Sequence, residues 1–446
     1  MSRALLAFAA ALVACSNVDV TIGPATTTKR FTAGDNLDLL FVIDNSASTY
    51  DKQTVFAANL PTLASQLDSF PGGRPNVHVG VVSTSVSIGN SNFGDNCTTG
   101  DDGALQATAR IAGCSPPTDA FISDIDEQGT RVVNYTGTLA DTLACIGQLG
   151  TTGCGFEAPL ESMKRALDGS QPLNAGFLRP DADLGIVVLT DEDDCSVRDT
   201  SIFDLPAEMS GPGDYRCQPL YAYDCDHPIS ATTGDIYTGC KPHHGGYLGD
   251  PGDYYSFLTS IKDPSQIVFS VVGGDPITTV ATGEIDNPFE QQLALQPSCT
   301  ATVNGNFAIG RPGLRLDELV HAFGDHGTFE TVCQSDYSGA LAAIGGKLFA
   351  MMSPCLEGDI AIYGGGAPTC TVVEREQLGT AAEVDRAMPA CAMRDATTPA
   401  PGPRPCWWTV ADSATCSTTT TNLAFHVERD AVPPDGTVVD ATCELR

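Results

Sequence analysis

The stretch "LLFVIDNSAST", residues 39–49, sets the reading of the whole chain: five apolar residues run unbroken into Asp44, and Ser46 and Ser48 follow at alternate positions. A short run that is apolar on both faces and rich in β-branched and aromatic residues predicts a strand covered by helices on both sides. Three further runs share this character: "VHVGVV" (77–82), "GIVVL" (185–189) and "IVFSVV" (267–272). Between them, apolar residues recur at spacings of three and four, as Phe56, Leu60, Leu63, Leu67 and Phe70, as Leu160, Met163 and Leu167, and as Leu341, Ile344 and Leu348. That spacing predicts helices, the first kinked or begun at Pro61. Strands alternating with helices predict an α/β fold with a doubly wound, mostly parallel sheet. His78, inside the second run, is given no role.

Long loop-rich insertions at 83–137 and 192–250, and a milder one at 275–312, interrupt the alternation. Loops of this length need a staple or a function, and here cysteines are the expected staples. Helical periodicity ends near Pro354, so the α/β domain is expected over 35–353. Residues 354–446, with six Cys, the break "TTPAPGPRPC" and short alternating runs, predict a small disulfide-rich β domain. Trp407 and Trp408 there suit packing against a disulfide or stacking on a sugar.

The N-terminus, "MSRALLAFAAALVACS", has a basic start and an apolar stretch too short to span a bilayer. Residues 1–14 are read as a signal peptide. Leu12-Val13-Ala14-Cys15 resembles the bacterial lipobox, which implies cleavage before Cys15, a lipid on it, and a cell-envelope location, with the outer membrane suggested by Ser16. The polar segment 15–34 is expected to be a tether. Of the 17 Cys, setting Cys15 aside leaves an even number, ten from Cys97 to Cys333 and six from Cys355 to Cys443, as an oxidised exported chain requires. By spacing, Cys97 with Cys114 and Cys145 with Cys154 suggest themselves as local pairs. The net charge of −32 would repel phosphate backbones, which excludes nucleic acid as a partner.

In a parallel sheet, ligands collect at the carboxyl ends of the strands, where Asp44 stands. Asp, Ser and Ser at alternate positions can turn three oxygens to one point, the donor type that hard cations take. The third strand run ends in Thr190-Asp191 and brings a second carboxylate to the same edge. The two strand ends together resemble the von Willebrand factor A-type domain and its metal-ion-dependent adhesion site. The resemblance implies Mg²⁺ or Mn²⁺ held by Asp44, Ser46, Ser48 and Asp191, with one coordination position left for an Asp or Glu of a protein partner. The family's Thr is not in its usual place: "GTTGCGFEAPLESMKRAL" offers Thr152, or Glu157 at a helix start, as the replacement. That run and "DEDDCSVRD" together also resemble secreted or lipid-anchored domains of this class from bacteria such as myxobacteria.

Glu192, Asp193 and Asp194 are open to two readings, a solvated acidic loop or a Ca²⁺ site. "CDHPISATTGDIYTGCKPHHGG", 225–246, has zinc-like spacing, but in an oxidised chain Cys225 and Cys240 are expected as disulfide partners. His321 and His326 have no evident partner. No Gly-x-Ser-x-Gly, His-Glu-x-x-His or Walker loop is present, so no enzyme is expected. The expectation is an envelope lipoprotein that binds a protein through a metal. A structural lipoprotein with a degenerate site, or an exported carbohydrate binder or hydrolase, are the alternatives.

Overall fold

A computed structural model describes residues 25–446 apart from 33–34, 71–72, 90–94, 128, 206–216, 231–232, 287–290, 304, 364–366, 379, 418, 432 and 435. Cys15, the signal segment and the first part of the expected tether lie outside the described residues. The four apolar runs form strands Asn36–Ile43 (β2), Asn76–Ser83 (β3), Asp183–Leu189 (β6) and Ile267–Gly273 (β7). Gly327–Thr331 (β8) joins them in parallel, while Ile122–Glu127 (β4) and Thr130–Val133 (β5) add an antiparallel edge. The sheet runs β8-β7-β6-β2-β3-β4-β5.

Side chains alternate across this sheet, and both faces are covered. Leu37, Leu39, Phe41 and Ile43 of β2 pack under helices Tyr50–Asp68 (α1), Leu139–Gly147 (α2) and Ser338–Met352 (α6). Leu40 and Val42 face Pro159–Leu167 (α3), Pro251–Ile261 (α4) and Leu314–Ala322 (α5). Two-sided cover explains the unbroken apolar strands, since each buried Leu or Phe contributes about 1.5–3 kcal/mol. Helix α1 runs through Pro61 without ending there, and neither starts nor stops at it.

The expected tether is corrected over its second half. Thr26–Thr32 form a strand (β1), because successive residues find partners on opposite faces: Arg30 forks onto Asp440 at 2.6 and 2.8 Å, and buried Lys29 donates to the carbonyls of Ala350 and Cys355. β1 is the edge of a second, antiparallel sheet with Val438–Glu444 (β13), Cys370–Glu376 (β9) and Val384–Ala387 (β10), in the order β1-β13-β9-β10. Cys406–Ala411 (β11) and Leu423–Glu428 (β12) form a separate hairpin. Trp407 is buried, donates to the Met388 carbonyl and stacks on Phe425, while Trp408 stacks on His426.

All sixteen cysteines after Cys15 are paired within their two blocks, five bonds before Pro354 and three after it. Cys225 joins Cys240 as expected. The local pairs suggested by spacing are corrected: Cys97 bonds Cys154 and Cys114 bonds Cys145, at Cα separations of 4.6 and 5.6 Å. The insertion folds back across α2 and the loop after it, so nearness in space overrides nearness in sequence. Eight disulfides fit an oxidising, extracytoplasmic setting. Among the described residues no helix is long and apolar enough to cross a membrane.

Candidate functional site

Parallel pairing of β2 with β6 aligns Ile43 with Leu189, so the next residues, Asp44 and Thr190, leave the sheet side by side. The ladder continues one step past the strands, with the Asp44 amide donating to the Leu189 carbonyl at 2.9 Å. Thr190 Oγ1 donates to Asp44 Oδ2 at 2.8 Å, and the Ser46 amide donates to Oδ1 at 2.8 Å. Ser46 Oγ lies 3.3 Å from Ser48 Oγ, which donates to Asp191 Oδ1 at 3.1 Å. The four residues named from the two strand ends therefore meet in one cluster. Adjacent oxygens 3.1–3.3 Å apart are close to the edge of an octahedron with bonds of about 2.0–2.1 Å, so the donor set fits a hard cation.

Helix α1 frames the cluster from behind. Thr49 Oγ1 donates to the carbonyls of Asp44 and Ser46, and Gln53 Nε2 donates to those of Asp44 and Gly150. One residue before Gln53 lies a residue that sequence reasoning passed over. Lys52 is buried, and its ammonium sits 2.5 Å from Asp191 Oδ2 and 3.0 Å from the Ser48 carbonyl. A cation in the first turn of a helix opposes the helix dipole, so its burial there depends on the carboxylate. Burial, together with the charge of Asp191, pushes Asp44 up to about 6, against the hydrogen bonds from Ser46 and Thr190.

The threonine hydroxyl that reaches the cluster is that of Thr190, which donates to Asp44, and not that of Thr152. Among the described residues Thr152 is exposed and hydrogen-bonds none of the cluster, because Gly153 is drawn against Asn45 and Cys154 is tied to Cys97. A Cβ at Gly153 would lie 2.1 Å from Asn45 Oδ1, so only glycine allows this approach. Glu157 is buried two residues ahead of α3, with its carbonyl accepting from the Cys195 amide. The signal for Thr190 was present in "LTDEDD", beside the carboxylate already noted.

The acidic loop is not the solvated loop of the first expectation. Glu192, Asp193 and Asp194 are buried, not solvated, and their oxygens are committed to protein groups. Asp193 accepts from the amides of Arg315 and Leu316 and from the Tyr223 hydroxyl, and Asp194 accepts from the Leu160 amide, Ser196 and Arg315. Glu192 pairs with Arg311 at 2.8 Å. Helices α3 and α5 start at Ala158 and Gly313, which have no capping side chain, and the loop supplies the missing acceptors. A Ca²⁺ ion would have to displace these donors. His78 bonds the Phe177 carbonyl, His326 the Ile267 carbonyl, and His321 pairs with Asp317.

No family model matches the chain, and no curated protein matches it. Among solved structures, it is similar to a von Willebrand factor type A protein from Catenulispora acidiphila at 10% identity and TM-score 0.27, covering 95% of this chain and 66% of that one. It is also similar to the human COPII-coat protein Sec24c (10%, TM-score 0.30, 94% and 42%) and to the pilus adhesin RrgA of Streptococcus pneumoniae (9%, TM-score 0.22, 94% and 58%). The chain thus spans less than two thirds of each of these three. Superposition at this level is loose, and the strand order and site geometry above stand on their own.

Proposed function

We propose that the chain is a binding protein of the von Willebrand A type, with a doubly wound α/β domain that captures an acidic group of a protein partner through a divalent cation. One observation carries the reading: oxygens of Asp44, Ser46, Ser48, Thr190 and Asp191 converge at the carboxyl edge of β2 and β6. Asp44, Ser46, Ser48 and Asp191 would hold Mg²⁺ or Mn²⁺, and the ion would offer its free position to a partner's Asp or Glu. Thr190 positions Asp44, and Gln53 and Thr49 hold the serine turn against the sheet. The chain acts by binding and not by catalysis, and Cys15 anchors it by a lipid to a bacterial envelope, with the outer membrane as the expected site.

A second reading has its own observation. Lys52 already neutralises Asp191, so the edge is stable with no metal and the protein serves as a structural envelope component. Calorimetric titration of Mg²⁺ and Mn²⁺ into the EDTA-stripped protein separates the two. Saturable binding lost in Asp44→Ala, together with partner capture that EDTA abolishes, supports the first; no saturable binding by the wild type leaves the second.

A further inference from the structure

The histidines of the cysteine-stapled insertion find partners that their sequence neighbourhood does not suggest. With Cys225 and Cys240 bonded to each other, the zinc-like spacing of 225–246 loses its thiolates. His244 turns instead to two carboxylates from separate helices. Its Nδ1 lies 2.7 Å from Asp250 Oδ1, at the start of α4, and its Nε2 lies 3.5 Å from Glu318 Oε2, within α5. Each of the three residues can place one ligand atom within 4.8 Å of the other two.

We propose that His244, Asp250 and Glu318 form a second metal site, distinct from the Asp44 cluster, that takes Zn²⁺ or a similar borderline transition ion. His244 Nε2 and a Glu318 oxygen are zinc-type donors, and bonds of about 2.0–2.2 Å set tetrahedral ligands about 3.3–3.5 Å apart. The 3.5 Å gap between Nε2 and Glu318 matches that edge. Asp250, on the opposite nitrogen Nδ1 at 2.7 Å, acts from behind the ring, fixing its tautomer and orientation as a carboxylate–histidine–metal arrangement requires. Half-exposed His244 leaves the remaining positions open to water.

The donors are held from behind. The Cys225–Cys240 bond fixes the strand before His244, and Gly245 and Gly246, with φ of +83° and +73°, turn the chain sharply after it. Asp250 and Glu318 ride on helices packed together in one core. The charge also balances, since neutral imidazole with two carboxylates carries −2. Arg315, whose charge reaches all three groups, is buried and ion-paired with Asp194 at 3.1 Å, and the neighbouring His243 pairs with Asp224.

Calorimetric titration of ZnCl₂ into the full EDTA-stripped chain tests this in the wild type, His244→Ala, Glu318→Gln and Asp44→Ala, each checked by circular dichroism. The expected result is one saturable Zn²⁺ event that weakens about tenfold or more in His244→Ala and Glu318→Gln and persists in Asp44→Ala. Glu318→Gln keeps side-chain size on a partly exposed helix face, so it remains readable if the histidine variant folds poorly. The proposal is overturned by the absence of saturable Zn²⁺ binding, by unchanged affinity in both variants, or by loss of the event in Asp44→Ala. Because Asp44→Ala removes only the Mg²⁺ site, failure of one site leaves the other testable.

Discussion

Lys52 and Asp191 decide how the candidate site behaves without metal. A buried ion pair that loses one partner typically costs about 3–5 kcal/mol, because the remaining charge is left uncompensated. In Lys52→Met, Asp191 would lose its cation and stand uncompensated near Asp44. The variant should therefore unfold at lower temperature in EDTA, regain stability on adding Mg²⁺, and bind Mg²⁺ more tightly than the wild type; scanning calorimetry with and without the ion reads all three. A different carboxylate sets a pH effect. Asp183 is buried beside Gln266, and desolvation raises it to about 7 against a Gln266 hydrogen bond and the charges of Lys262 and Lys29. Its folded pKa lies above its unfolded value, so the native state holds the proton more strongly and stability falls as pH rises from about 4 to 7. Relative to Asp183→Asn, the wild type should lose roughly 4 kcal/mol over that window, at about 1.4 kcal/mol per pH unit. Denaturant melts at pH 4.5 and pH 8 check the sign. Asp44, Ser46, Ser48 and Asp191 were legible because they end strands whose apolar runs announce themselves. Lys52 was not, since nothing in "STYDKQ" says that its ammonium turns inward across 139 residues of sequence to Asp191.

At the level of elements, the four central strands and the helices between them were readable because two-sided burial leaves a strong periodic signal. The edge strands β4 and β5 were not, as β5 is exposed throughout and lies inside an insertion. The caps were hidden for a related reason. A helix that follows Ala158 or Gly313 has no capping side chain of its own, and its acceptors come from a loop more than thirty residues away for α3 and more than a hundred for α5. Asp194→Ala should consequently cost more than an ordinary surface cap, about 3–5 kcal/mol, since it also strands buried Arg315; a urea melt gives the value. Pro61 points to the reverse adjustment. It is exposed in the middle of α1 and withholds one helix hydrogen bond, so Pro61→Ala should stabilise the protein by about 1–3 kcal/mol.

On the scale of the molecule, the disulfides connect the loops to the site. Cys97–Cys154 closes 57 residues, a constraint on the unfolded chain of about 4 kcal/mol, and it fixes Gly153 against the serine turn. The double variant Cys97→Ser, Cys154→Ser should lose up to that much stability and bind Mg²⁺ less tightly. The pairing was out of reach of spacing alone, whereas the division into two cysteine blocks was visible. The least legible feature was β1. Its sequence is polar and Thr-rich, yet it completes a sheet whose other strands lie more than three hundred residues later.

Strand β1 leads almost directly into β2, and β2 ends at Asp44. A load applied before Thr26 and resisted by a partner gripped at Asp44 would run along these two strands. β2 has parallel neighbours on both sides and β1 is laddered to β13 over seven residues, so such a pull would slide rows of hydrogen bonds lengthwise together, not unzip them singly. With the proposed anchor before Thr26 and the proposed grip at Asp44, the chain would serve as a tension member, strongest along the line that joins the two.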